Sequence, residues 1–112
     1  MNINGYETFT DFYSDFDIAE HCGITALDNS FMNNFEQGKN DFRKLAELYY
    51  VLYKKMGEAK ESGDQELFNW YADHWCKVDQ WGEENLHGAQ KNYYYRVTDG
   101  DFKMANYYLS IV

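Results

Sequence analysis

Three histidines and two cysteines are the residues of this chain best suited to hold a metal or act as nucleophiles, and they stand as His21-Cys22, His74-Trp75-Cys76 and a single His87. Zinc sites use Cys-x-x-Cys or His-x-x-x-His spacings, which bring two ligands to one side of a turn or helix, and neither spacing occurs. On a helix, residues two apart point about 200° away from each other, so His74 and Cys76 do not meet on one ion. Glu84 and His87 form one Glu-x-x-His pair of the kind used in di-iron bundles, but such a site needs a second pair and two further carboxylates from facing helices. The second pair is missing, and a solvated helix end accounts for these residues. Cys22 beside His21 suggests a thiolate nucleophile, yet catalytic Cys and His meet through the fold and take a third group to orient them. Both cysteines read as buried or inert, reduced thiols. Asp15-Phe-Asp17 and Asp99-Gly-Asp101 begin like cation loops and stop before the remaining oxygen ligands of a calcium site. No Gly-rich phosphate loop or serine elbow is present. The sequence therefore predicts no catalytic residue, no metal, no cofactor and no enzymatic activity.

Carboxylates are the other groups in excess. The chain has 112 residues with 19 acidic and 10 basic side chains, a net charge of −9 and a pI near 4.6. These charges are segregated. Residues 1 to 38 carry seven acids and no Lys or Arg, whereas residues 39 to 63 carry Lys39, Arg43, Lys44, Lys54, Lys55 and Lys60 against four acids. Acids dominate again from 64 to 88, and bases slightly exceed them from 89 to the end. So negative a chain repels nucleic acid and anionic lipid, which argues against direct binding to either. Glu7, Asp11 and Asp15 are spaced i, i+4, i+8, so on a helix they form one row of like charges. An ordinary solvated face is one reading of that row; an acidic patch matched to a basic protein surface is the other.

The elements that must position these groups follow from apolar spacing. Phe42, Leu45, Tyr49, Leu52 and Met56 repeat at 3 and 4 residues and predict a helix over 41–61, with Asp41 or Asn40 as its cap and Ser62-Gly63 as its end. Asp64 caps a second helix to about Leu86, striped by Leu67, Tyr71, His74, Val78 and Trp81. So short a connection predicts an antiparallel αα-hairpin as the spine of a mostly α single domain over 1–112. Phe68, Trp70 and Trp75 widen the second helix's apolar face, so one or two short N-terminal helices must cover it. Phe9, Phe12, Tyr13 and Phe16 mark the first, and Gly23 closes the turn after it. Leu27, Phe31 and Phe35 mark another, opened by a Thr25/Asp28 capping box and ending at Gly38. Residues 89–112 read either as a final helix capped by Asp101 or as a β-hairpin turning at Asp99-Gly100.

Aromatic residues make up 20% of the chain, with 11 Tyr, 8 Phe and 3 Trp, more than the inward positions can absorb. The surplus includes Tyr93-Tyr94-Tyr95 and Tyr107-Tyr108, and exposed tyrosines are typical of protein interfaces. Glu7, Asp11, Asp15, Asp17, Tyr94 and Tyr107 are the expected partner-contacting residues. The expected partner is a protein with a basic surface. No long apolar run suggests a membrane span and the first residues lack a secretory pattern, so the expected setting is cytoplasmic.

Asp41-Phe-Arg-Lys-Leu-Ala-Glu-Leu, Gly63-Asp-Gln-Glu-Leu, Trp70-Tyr-Ala-Asp-His-Trp and Tyr95-Arg-Val-Thr-Asp resemble stretches of small uncharacterised proteins encoded on conjugative and other mobile elements of gut bacteria. The resemblance runs over residues 15 to 99. It carries no assigned activity, but it implies a setting in which short acidic proteins inhibit host restriction or CRISPR nucleases, some by imitating DNA, and this chain is similar to those in size and charge. The expected function is an acidic, non-enzymatic protein-binding module of that inhibitory type. The alternative is a structural or accessory protein of plasmid or transposon transfer, homodimeric through its leftover aromatics.

Overall fold

The computed structural model describes residues 10–111, with side chains from Tyr13 onward. Six α-helices and no strand occur among these residues: α1 Thr10–Cys22, α2 Ile24–Lys39, α3 Phe42–Ser62, α4 Gln65–Asn85, α5 Gly88–Thr98 and α6 Phe102–Ile111. Several predicted boundaries are reproduced by their predicted chemistry. Asp41 accepts from the Arg43 amide at 3.0 Å and opens α3, while Asp64 accepts from the Leu67 amide at 3.1 Å and opens α4. Between them Gly63, at φ 78°, takes the left-handed turn that lets the Asp64 amide reach the Ala59 carbonyl at 3.0 Å.

The start of α2 differs from expectation. Its cap is Gly23, at φ 110°, whose amide closes α1 on the Ala19 carbonyl and whose carbonyl accepts from the Leu27 amide. A residue free to adopt positive φ joins two helices with no linker, so no Thr25/Asp28 capping box forms. Asp28 instead accepts a hydrogen bond from Trp70 Nε1 at 2.9 Å. Gly38 does not terminate α2, which runs to Lys39; it is buried where a Cβ would stand 3.1 Å from the Leu45 Cα, so it permits α2 and α3 to approach.

The ambiguous C-terminal stretch is helical on both sides of Asp99-Gly100. Tyr93, Tyr94 and Val97 share one buried side of α5, and Asp101 accepts from the Met104 amide to open α6. Burial of that side against α3 decides against strands, for which no partner sheet exists. α6 packs mainly on α5, with Phe102 against Tyr50 of α3.

α3 is the hub. It packs on α4 most extensively and also on α5, α2 and α1. Its predicted stripe is therefore only part of its buried surface: Leu45 and Leu52 are fully buried, Phe42, Tyr49 and Met56 partly so, Ala59 continues the stripe, and Ala46, Leu48 and Val51 on other sides are buried as well. One contiguous core joins Phe16 of α1, Leu27 and Phe31 of α2, Tyr71 and Val78 of α4 and Tyr93 of α5 to this hub.

Candidate functional site

The most concentrated group of ionisable side chains lies where α1 crosses α3 and α4. Lys55, in the middle of α3, is 2% exposed, yet its stem emerges among apolar Leu48, Val51, Leu52 and Ala59. Its ammonium lies 2.8 Å from Asp17 Oδ1, 2.9 Å from Glu20 Oε1 and 3.6 Å from Glu58 Oε1. Tyr13 Oη donates to both Glu58 oxygens at 2.7 and 2.8 Å, and its ring faces the ammonium at 4.7 Å. Tyr71, fully buried on α4, donates to Glu20. No buried polar atom of this cluster lacks a hydrogen-bond partner, as burial of charge demands.

Electrostatics decide what the cluster can do. Burial opposes the Lys55 charge, but hydrogen bonds and charges from Asp17 and Glu20 outweigh it, and the pKa lies above the ordinary lysine value. A lysine held as an ammonium has no lone pair with which to attack a carbonyl or take a proton. Burial and Glu20 likewise push the Tyr71 hydroxyl far up. Chemically the cluster is a clasp that fastens α1 to the hub. Sequence reasoning missed it, treating Lys55 as one member of a basic run. The signal that could have found it is the spacing of Leu48, Val51, Lys55 and Ala59, which puts this lysine in line with an apolar row, unlike Lys54 and Lys60.

The clasp sorts the α1 carboxylates. Asp17 and Glu20 turn toward Lys55, whereas Asp15 is exposed and makes no ion pair among the described residues. One turn beyond Asp15 on the same side is Ile18, 65% exposed. Asp11 lies within α1, one turn before Asp15, and Glu7 lies outside the described residues. Of the two tyrosines expected at an interface, Tyr107 is 55% exposed on α6. Tyr94 is a correction. It is fully buried, donates to Asp79 Oδ1 at 3.1 Å and packs edge-on to Tyr49 at 5.6 Å, so it belongs to the core and not to a contact surface. Gly82 makes room for it, since a Cβ there would stand 3.0 Å from the Tyr94 ring. Asp15 and Tyr107 fall on separate groups of helices, α1 with α2 and α3, α6 with α5.

His74 is occupied structurally. Its ring stacks on Trp70 at 3.9 Å and meets Phe31 edge-on at 4.6 Å, and its Nδ1 is 2.7 Å from the Trp70 carbonyl, which makes that nitrogen the donor. Burial pushes its pKa below the ordinary value, so it is neutral at pH 7. Cys76 and Cys22 are both exposed free thiols, so of the expected buried or inert alternatives the structure removes burial. No group of three metal-ligating side chains converges among the described residues, and no described helix is long and apolar enough to cross a membrane. Comparison with protein-family models, curated proteins and solved structures finds no match to this chain.

Proposed function

We propose that this chain is a non-enzymatic protein-binding module of a mobile element, which presents the outer side of α1 to a basic surface on a host nucleic-acid-handling enzyme and inhibits it. The observation that carries the reading is the division of labour on α1: Asp17 and Glu20 are spent on Lys55, while Asp15 stands outward beside a largely exposed Ile18. An outward carboxylate bordered by an exposed apolar side chain suits recognition of a cationic protein surface, where opposite charge speeds encounter and the apolar contact slows release. Support also comes from the clasp, which fixes this helix on a rigid hub and so reduces the ordering cost of binding. The antiparallel pairing of α3 and α4 is the scaffold of this reading. It is supported by the sharing of one hollow by Phe42 and Trp81 and of another by Ala59 and Phe68, opposite ends of the two helices. The mobile-element setting rests on the sequence resemblance alone.

The test is charge reversal on α1. Asp11→Lys with Asp15→Lys leaves the clasp untouched, so circular dichroism should stay helical. Host proteins captured by the wild-type chain should be enriched in basic nucleases or related enzymes, be displaced by added salt, and be lost from the reversed variant. An unchanged set of captured proteins, with unchanged salt sensitivity, refutes the acidic face as the binding surface.

A further inference from the structure

A hollow of about 500 Å³ opens where α2 hands over to α3 and the end of α4 meets α5 and α6. Its apolar lining is Phe42, Trp81, Leu86 and Leu109, and Lys39 and Arg43 stand beside these. We propose that this hollow binds a small organic monoanion, a carboxylate carried on an apolar ring or chain. This site stands apart from the outer side of α1 and does not depend on that reading.

Size is the first support, since the volume lies within the roughly 300–1,000 Å³ usual for small-molecule sites. Charge is the second. In a chain of net charge −9 this hollow is lined by two cations and one carboxylate, Asp41. Asp41 is already committed, because its Oδ1 accepts from the Arg43 amide at 3.0 Å as the α3 cap. Its Oδ1 also lies 3.5 Å from Arg43 Nε, and the half-exposed guanidinium carries further N–H donors with which to meet a ligand carboxylate. Lys39 meets Glu36 at 3.4 Å, but Glu36 is 72% exposed and lies outside the hollow, so a ligand anion displaces it cheaply.

Preorganisation is the third support. Asn85 donates to the Trp81 carbonyl at 2.8 Å and Asn40 to the Glu36 carbonyl at 2.9 Å, which tie both amides to helix ends around the opening. Leu86, 5% exposed, belongs to the core, and Trp81 packs edge-on to Phe35 at 6.5 Å. The apolar wall is therefore held in place before any ligand arrives.

Titration of the intact chain with phenylacetate and with its uncharged amide, phenylacetamide, followed by amide nuclear magnetic resonance shifts, tests the assignment. Phenylacetate should shift the Gly38–Lys44 amides and the Trp81 indole. It should bind about tenfold more tightly than the amide, the worth of a charge-assisted fork. Arg43→Gln should bring the acid down to the amide's affinity, whereas Lys60→Gln, at the far end of α3, should leave it unchanged. Leu109→Trp should fill the hollow and abolish both. The proposal is overturned by absent or scattered shifts at millimolar ligand. Equal binding of acid and amide, or an Arg43→Gln variant that binds phenylacetate as the wild type does, overturns it equally.

Discussion

Replacing Lys55 with Met keeps an unbranched stem in the core and deletes only the charge that Asp17, Glu20 and Glu58 surround. Breaking a fully buried ion pair from one side costs about 3–5 kcal/mol, because the partner charge is left desolvated. Here the side chains of Asp17, Glu20 and Glu58 are 53%, 21% and 47% exposed, so water re-solvates the first and third, and Glu20 carries most of the penalty. Discounting for that exposure leaves about 2–3 kcal/mol, or a drop in Tm of roughly 8–12 °C for a chain of this size. Scanning calorimetry and urea titration measure it against Lys54→Met. That neighbouring lysine is exposed, and its loss should cost no more than about 0.5 kcal/mol. Adding Glu20→Gln to Lys55→Met should recover about 1 kcal/mol, since it removes the least solvated orphan charge and leaves Tyr71 an acceptor. Lys55 does not clasp α1 to the hub if the Lys55 and Lys54 variants melt together. Nor does it if Glu20→Gln is as damaging without Lys55 as with it.

Alkaline pH should weaken the fold. Tyr49 is pushed up to about 12 by burial and Asp79, and Tyr71, Tyr93 and Tyr94 are raised further, chiefly by burial. Folded tyrosines then keep protons that the unfolded chain releases near pH 10, as Lys55 does from its ordinary 10.5 upward. Stability should be flat below pH 9 and fall above 10. Tyr94→Phe should shallow that fall in a pH series of urea titrations, and an unchanged slope would contradict the burial of Tyr94. Gly38→Ala should destabilise by about 1–3 kcal/mol through overpacking on Leu45, while Gly57→Ala, with open space around it, should stabilise by roughly 0.5–1 kcal/mol. Leu52→Ala should cost about 2–5 kcal/mol by opening a cavity in the hub. Cys22 and Cys76 should both react with a thiol reagent in the folded chain without a change in helicity, and protection of either would contradict its exposure.

Local chemistry made much of the helical architecture legible in advance. Asp41, Asp64 and Asp101 open helices because a short carboxylate satisfies amides within its own turn, and Gly63 ends one because positive φ costs it nothing; such interactions reach at most four residues. The failure at Thr25/Asp28 is of the opposite kind. Asp28 had a local bond on offer and took a distant one, from Trp70, which sequence spacing cannot reveal. Tyr94 shows the same limit, since a run of three tyrosines does not tell which one meets the space left by Gly82. The excess of carboxylates in the first 38 residues was readable, but only tertiary structure separated Asp17 and Glu20, paired with Lys55, from Asp15, left outward. Charge counting gives every lysine the same value. What distinguishes Lys55 from Lys54 is the crossing of α1 over α3, and that crossing depends on packing such as that of Phe16 on Tyr71, 55 residues apart in the chain, and not on any neighbour in sequence.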